Sequence, residues 1–308
     1  MHSDFFRAYL EQTAVDWLNG LDSEPQSILE VGCGQGEFLA VLAEKTNATL
    51  QGFDPAFRLQ DATSERVVAD YLPEEPTAQF DLVMNRMTLE HIARPLDFVV
   101  NLRRWLAPGG TLITQVPNAE RIIADQHVCE LFYEHVNYFT KTSLVHLLER
   151  AGFKSNRVEI TYDGQSLTVY SRLDPSKKPV THSTVSGLEN NLGASLARFS
   201  TDWNRILNDR LAKGREIWLW GTGSRATTFL AFACEHASVT GAVDINPMRE
   251  GSYVLGTACR TFLPKALKGR QNLSIVVMNP IYKDEISKSL SALSVEAELL
   301  LVSDLQPQ

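Results

Sequence analysis

Apolar positions fall in short runs separated by polar and glycine-containing breaks. Ser27 to Gly32 (SILEVG), Thr49 to Phe53 (TLQGF), Phe80 to Met84 (FDLVM) and Thr111 to Val116 (TLITQV) each have the length of one buried strand. The intervening stretches Glu37 to Glu44 and Pro95 to Leu106 read as helices. Buried strands alternating with helices predict a parallel sheet covered on both faces. Val158 to Arg172 (VEITYDGQSLTVYSR) differs: two β-rich runs flank Asp163-Gly164, a hairpin turn signal. An antiparallel pair is therefore expected at one edge of the sheet.

A polar stretch with two prolines, Asp174 to Ser186, reads as a linker. Leu188, Leu192, Leu196, Phe199, Trp203, Ile206, Leu207 and Leu211 then recur at steps of three and four, the apolar face of one long helix. Such a face packs between domains or joins subunits, so a homodimer stays open. After Gly214 the alternation restarts, with strands expected at Glu216 to Trp220, Val239 to Asp244, Ser274 to Asn279 and Glu298 to Val302. The expected architecture is α/β: a first domain over 1–172, a linker and helix over 173–214, and a second, smaller Rossmann-like α/β domain over 215–308.

Composition narrows the function. The chain of 308 residues has the length of about two domains, and its net charge is −8 with no Lys/Arg block. Non-specific nucleic-acid binding needs a basic surface and is not expected. No apolar run reaches the roughly 18 residues that span a bilayer, and Met1-His2-Ser3-Asp4-Phe5 does not open a signal peptide. Cys33, Cys129, Cys234 and Cys259 form no C-x-x-C pair, and no Cys/His group has zinc spacing. These features predict a soluble, cytoplasmic protein with no membrane partner and no metal.

The first strand ends in Glu30-Val31-Gly32-Cys33-Gly34-Gln35-Gly36, a glycine-rich turn that opens a helix. Such a turn lies at the carboxyl edge of a parallel sheet, where α/β proteins bind ligands. Asp54 ends the second strand about twenty residues on, the offset of an acid that accepts hydrogen bonds from a ribose diol. The dinucleotide fingerprint G-x-G-x-x-G does not fit, because the third glycine comes one residue early. The segment instead resembles motif I of class I S-adenosylmethionine-dependent methyltransferases. Phe80-Asp81-Leu82-Val83, Leu89-Glu90-His91-Ile92 and Leu106-Ala107-Pro108-Gly109-Gly110 match later landmarks of that family in order. The resemblance covers about residues 25 to 172. It implies S-adenosylmethionine as methyl donor, wrapped by Gly32, Gly34 and Gly36, with Glu30 near its amino-acid end and Asp54 on its ribose. Asp70 then lies near the adenine, or is a surface turn acid.

Methyl transfer to oxygen or carbon needs a base, and histidine titrates in the useful range. His91 follows the strand ending near Met84. His135 lies in Leu131-Phe132-Tyr133-Glu134-His135-Val136-Asn137-Tyr138-Phe139. Both are candidate bases, with Glu134 and Tyr133 as their company; His91 reads equally as part of a packing turn, and the tyrosines as packing aromatics. His127, His146, His182 and His236 lack such company and are expected in surface or core.

The second half repeats the plan. Gly221-Thr222-Gly223-Ser224-Arg225 closes a strand and opens a helix, where backbone N–H groups and Arg225 are placed to hold a phosphate. Asp244 ends the next strand. Read alone, this is a nicotinamide-cofactor layout, or a close-packed turn with no ligand.

The whole arrangement resembles the sugar C-methyltransferases that act on nucleotide-linked 4-keto-6-deoxysugars. The matching residues are Glu134-His135 with Tyr138 and Phe139, Gly164-Gln165-Ser166, Gly221-Thr222-Gly223, Asp244-Ile245-Asn246-Pro247, Gly251 with Tyr253, Gly256-Thr257, and Asn279 followed by Lys283-Asp284-Glu285-Ile286. The resemblance implies that the second domain, through Gly221, Gly223, Arg225, Asp244 and Asn279, holds a nucleotide sugar, and that His135 removes the proton next to the ketone. The cysteine-rich zinc domain with which the family usually opens is not expected here, and the chain departs from the family in Phe132 where a tyrosine is usual and in Met87 where an asparagine is usual. An O- or N-methyltransferase of a small metabolite, a non-catalytic nucleotide-sugar-binding protein and a nicotinamide-dependent enzyme are the competing readings.

Overall fold

The computed structural model describes residues 3–58, 64–174, 176, 192–233 and 239–303. Most of the expected linker, Leu188, Cys234, His182 and His236 lie outside them. The chain packs as two units: Phe6–Glu120 with His135–Gly187, and Met1–Phe5, Arg121–Glu134 and Leu188–Gln308.

The first unit is built on strands β1 (Ser27–Val31), β2 (Thr49–Phe53), β3 (Val67–Val68), β4 (Phe80–Arg86), β5 (Leu106–Pro117), β6 (Phe153–Thr161) and β7 (Ser166–Leu173), in the order β3-β2-β1-β4-β5-β7-β6. The first five run parallel. β7 runs antiparallel to both β5 and β6, so the expected hairpin closes that edge. Its turn uses three successive left-handed residues, Tyr162, Asp163 and Gly164.

The strands are apolar on both faces because both are covered. Leu29, Val31 and Val83 face one core with α3 (Pro95–Trp105) and α5 (Lys141–Arg150); Ile28, Leu82 and Met84 face another with α1 (Asp4–Asn19) and α2 (Glu37–Ala43). Each fully buried Leu, Ile or Val contributes about 1.5–3 kcal/mol against the entropy of ordering. α1 was not anticipated from the sequence, although Leu10, Ala14 and Trp17 fall on its one buried face.

In the second unit, β8 (Glu216–Trp220), β9 (Gly241–Val243), β10 (Thr261–Phe262), β11 (Leu273–Val277) and β12 (Ala297–Leu301) form a parallel sheet in the order β10-β9-β8-β11-β12. This is the strand plan of the first five strands of the other sheet. Ile217 and Leu219 meet α7 (Ser224–Phe232) and Trp203 and Leu207 of the long helix α6 (Leu192–Ala212). Trp218 and Trp220 meet α8 (Lys283–Ala292) on the opposite face. The apolar stripe of the long helix thus packs on the sheet of its own unit.

One segment departs from the sequence-based division at 172. The chain leaves the first unit within α4 (Ala119–Ala124) and returns at His135. Residues Arg121–Glu134 in between are part of the second unit. There Cys129 joins the core beside Phe229, and Thr228 Oγ1 donates to the Leu131 carbonyl at 3.2 Å. A buried thiol and one backbone carbonyl carry no periodic signal, so sequence order misassigned them.

Candidate active site

The turn between β1 and α2 takes its shape from glycines in the left-handed region, but they serve different ends. At Gly32 (φ 75°) a Cβ would lie 2.2 Å from Thr88 Oγ1, so the missing side chain makes room for Thr88. That hydroxyl reaches the Gly32 carbonyl at 3.2 Å and the Arg86 carbonyl at 3.1 Å. Met87 adopts φ 50° to deliver Thr88 there. At Gly34 (φ 58°) a Cβ would meet nothing within 4 Å. Its bare backbone therefore borders open space at the carboxyl edge, as a turn that receives a ligand requires. Gly36 (φ 74°) caps α2.

Asp54 closes the turn. Its Oδ2 accepts the Gly34 N–H at 2.7 Å and its Oδ1 the Ala56 N–H at 2.7 Å. Each carboxylate oxygen has further acceptor capacity for a diol. Glu30 is 1% exposed, and burial pushes its carboxyl up to about 7, against the pull of Arg86. Among the described residues its Oε2 has no hydrogen-bond partner. A buried, unsatisfied carboxylate oxygen beside an open glycine turn fits the ammonium end and the ribose of S-adenosylmethionine. Asp70 is exposed just after β3, where its Oδ1 accepts the Tyr71 N–H at 2.7 Å.

After β4 the chain forms a single turn, Leu89–His91. The Glu90 carbonyl accepts the Val136 and Asn137 N–H groups at 3.0 and 3.1 Å, and Asn137 Nδ2 donates to the Ile92 carbonyl at 2.7 Å. These bonds bring two segments 44 residues apart side by side. His91 and His135 meet edge to face with ring centroids 4.8 Å apart, and Tyr138 lies 5.9 Å from His135. The two candidate bases are thus neighbours in one cluster. Glu90 is 1% exposed beneath them, and burial pushes its carboxyl up to about 7 as well.

In the second unit the glycine turn repeats the first. Asp244 Oδ2 accepts the Thr222 N–H at 3.1 Å and the Thr222 hydroxyl at 2.6 Å; its Oδ1 accepts the Asn246 N–H at 2.9 Å. Gly221 (φ 100°) packs against Met278. Asn279 follows β11 and receives the Ile281 N–H at 3.4 Å. A cavity of about 250 Å³ opens over the turn, lined by Thr222, Gly223, Ser224, Arg249, Tyr253, Tyr133 and Glu134 among others.

The cation over this turn is not the expected one. Arg225 turns to Glu130, whose Oε1 it meets at 3.1 Å while Arg121 meets the same oxygen at 2.9 Å. Desolvation opposes the charge of Glu130, but the two guanidiniums win and hold its carboxyl below the usual value. Arg249 stands over the turn instead, with Nη1 3.0 Å from Thr222 Oγ1 and 3.7 Å from Asp244 Oδ2. Sequence reasoning missed it because it lies in a short turn 27 residues past Thr222, outside any motif. Glu134 Oε1 accepts the Ser224 hydroxyl at 3.0 Å, and a hydrogen bond to Glu134 raises the Tyr133 hydroxyl above its ordinary value.

Residues 6–157 match the methyltransferase domain family, and residues 180–301 match the C-methyltransferase C-terminal domain family. The chain is 30% identical over 146 residues to the ubiquinone biosynthesis O-methyltransferase of Roseobacter denitrificans, covering 41% of this chain and 58% of the relative. It is 21% identical over 269 residues to the C-methyltransferase NovU of Streptomyces niveus, covering 79% and 63%. The chain spans little more than half the length of such curated relatives. A Burkholderia thailandensis 1,6-didemethyltoxoflavin-N1-methyltransferase structure aligns with TM-score 0.43 at 17% identity, over 56% of this chain and 81% of that one. Among the described residues no helix is long and apolar enough to cross a membrane. The two matches together place a methyltransferase domain over residues 6–157 ahead of a C-methyltransferase C-terminal domain over residues 180–301.

Proposed function

We propose that the chain is an S-adenosylmethionine-dependent C-methyltransferase that methylates the carbon next to a ketone in a nucleotide-linked deoxysugar. The observation that carries this reading is the pairing of the His91 and His135 imidazoles in a region that matches a methyltransferase domain. The C-methyltransferase C-terminal domain match over 180–301 supports carbon as the acceptor.

S-adenosylmethionine, when bound, supplies an electrophilic methyl group. Gly34, Asp54 and Glu30 hold and orient it. His135 accepts the proton from the carbon beside the ketone, and the C–H electron pair moves into an enolate whose carbon is the nucleophile. His91, edge-on to His135, fixes that ring. In the second unit, the Gly223 N–H at the start of α7 and the Arg249 guanidinium receive the nucleotide's phosphates. Tyr133 and Glu134 line the same cavity.

The test is proton exchange. A dTDP-linked 4-keto-6-deoxysugar incubated in D₂O with the protein and S-adenosylhomocysteine is expected to lose the proton next to its ketone in the NMR spectrum. His135→Ala is expected to abolish that loss. Methyl transfer to an oxygen or nitrogen, with no exchange at carbon, would overturn the reading.

A further inference from the structure

We propose that Glu90, His91 and His135 form a binding site for a divalent cation of the zinc class. One donor atom of each residue lies within 4.8 Å of the other two. Donors held about 2.1 Å from a tetrahedral cation sit roughly 3.4 Å apart, so the three close on an ion with side-chain shifts of about 1 Å. His91 is exposed in its short turn.

The buried acid supplies an independent reason. Glu90 is 1% exposed, and its Oε2 has no hydrogen-bond partner among the described residues. An ionised carboxylate there is costly unless a positive charge meets it. A dication held by two imidazoles supplies that charge. Two imidazole nitrogens and one carboxylate oxygen suit zinc, cobalt or iron(II) better than magnesium or calcium, which prefer all-oxygen sites.

The backbone has already assembled the donors. The Val136 and Asn137 N–H groups on the Glu90 carbonyl fix the His135 segment against the Leu89–His91 turn. Three protein ligands leave a fourth coordination position open, as in exchangeable rather than closed structural sites. Sequence spacing hides the site, since Glu90 and His91 are adjacent and His135 follows 44 residues later. One consequence rests on the reading of His135 as the carbon base. A nitrogen lone pair given to a cation cannot take a proton, so cation binding and proton removal exclude each other at this residue.

The experiment is a titration of Co²⁺ alone into the full chain, followed by visible absorption and calorimetry. One Co²⁺ per chain is expected, with d–d bands of a nitrogen- and oxygen-ligated ion and displacement by Zn²⁺. Glu90→Gln and His91→Asn are each expected to weaken binding by about 10-fold or more. His91→Asn changes an exposed side chain, so it keeps the test decisive if the buried variant unfolds; thermal melting checks both. Absence of binding up to millimolar Co²⁺, or an affinity unchanged in the folded variants, overturns the proposal. Because the readout is metal binding, it stands or falls separately from proton exchange at the acceptor carbon.

Discussion

Gly34 donates its N–H to Asp54 Oδ2 at 2.7 Å, tying the glycine turn to the acid at the end of β2. The second unit contains the same bond between Thr222 and Asp244. In both, the acid braces the turn beside it. Asp54→Ala is therefore expected to weaken S-adenosylhomocysteine binding by about 1–3 kcal/mol, the range for stranding a hydrogen-bond partner. Calorimetry checks it; unchanged affinity removes Asp54 from the donor site.

The two glycines should part company on substitution. Gly32→Ala drives a methyl group into Thr88 and is expected to lower the melting temperature sharply. Gly34→Ala meets no atom of the described residues within 4 Å, so its cost to folding is limited to about 1–2 kcal/mol for the left-handed backbone. Its main effect is expected on donor affinity, because the methyl occupies ligand space. Melting and calorimetry together separate the two; equal melting losses would contradict the assignment.

Burial of Glu30 makes the protein sensitive to pH. Its folded-state value of about 7 lies above the ordinary 4.5, so the native state keeps a proton that the unfolded chain releases. The stability from this group is fully present below about pH 4.5 and is lost as pH rises through about 7. Glu30→Gln is expected to flatten that part of the stability curve, measured by urea unfolding across pH. Binding of the cationic amino end of the donor runs the other way: the ionised carboxylate holds it, so affinity is expected to rise through the same window in the wild type and not in Glu30→Gln.

His135→Ala is expected to lower turnover by about 10²-fold or more, the usual loss for a general base, with donor affinity nearly unchanged. Arg249→Ala is expected to weaken nucleoside diphosphate binding and leave donor affinity intact. Arg225→Ala instead leaves the mostly buried Glu130 with Arg121 as its remaining guanidinium partner, and is expected to destabilise the second unit. A loss of nucleotide affinity with Arg225→Ala but not with Arg249→Ala, at equal stability, would reverse the two roles.

Much of the fold was legible because parallel strands covered on both faces are nearly continuous apolar runs. β1, β2, β4, β8 and β12 fall where those runs are. β3 and β10, at two residues each, are too short to leave a pattern. The glycine turns and their acids were legible because backbone geometry restricts residue choice there. The placement of Arg225 and Arg249 was not, because which guanidinium faces a turn depends on a long-range competitor, here Glu130. The grouping of Glu90 with His91 and His135 was hidden for the same reason: backbone bonds between distant segments create it.

The excursion of Arg121–Glu134 into the second unit bears on how the polypeptide is made. Those residues leave the ribosome well before the sheet that receives Cys129 and Leu131. They must wait, with a core side chain unpacked, until α7 and its strands have been synthesised. Nor does one cut in the chain yield two self-sufficient pieces: a fragment beginning at residue 188 lacks part of its own core, and one ending at 187 carries that part with nothing to bury it. No single cut excises either unit whole, so a stable second unit requires Arg121–Glu134 to be supplied with it.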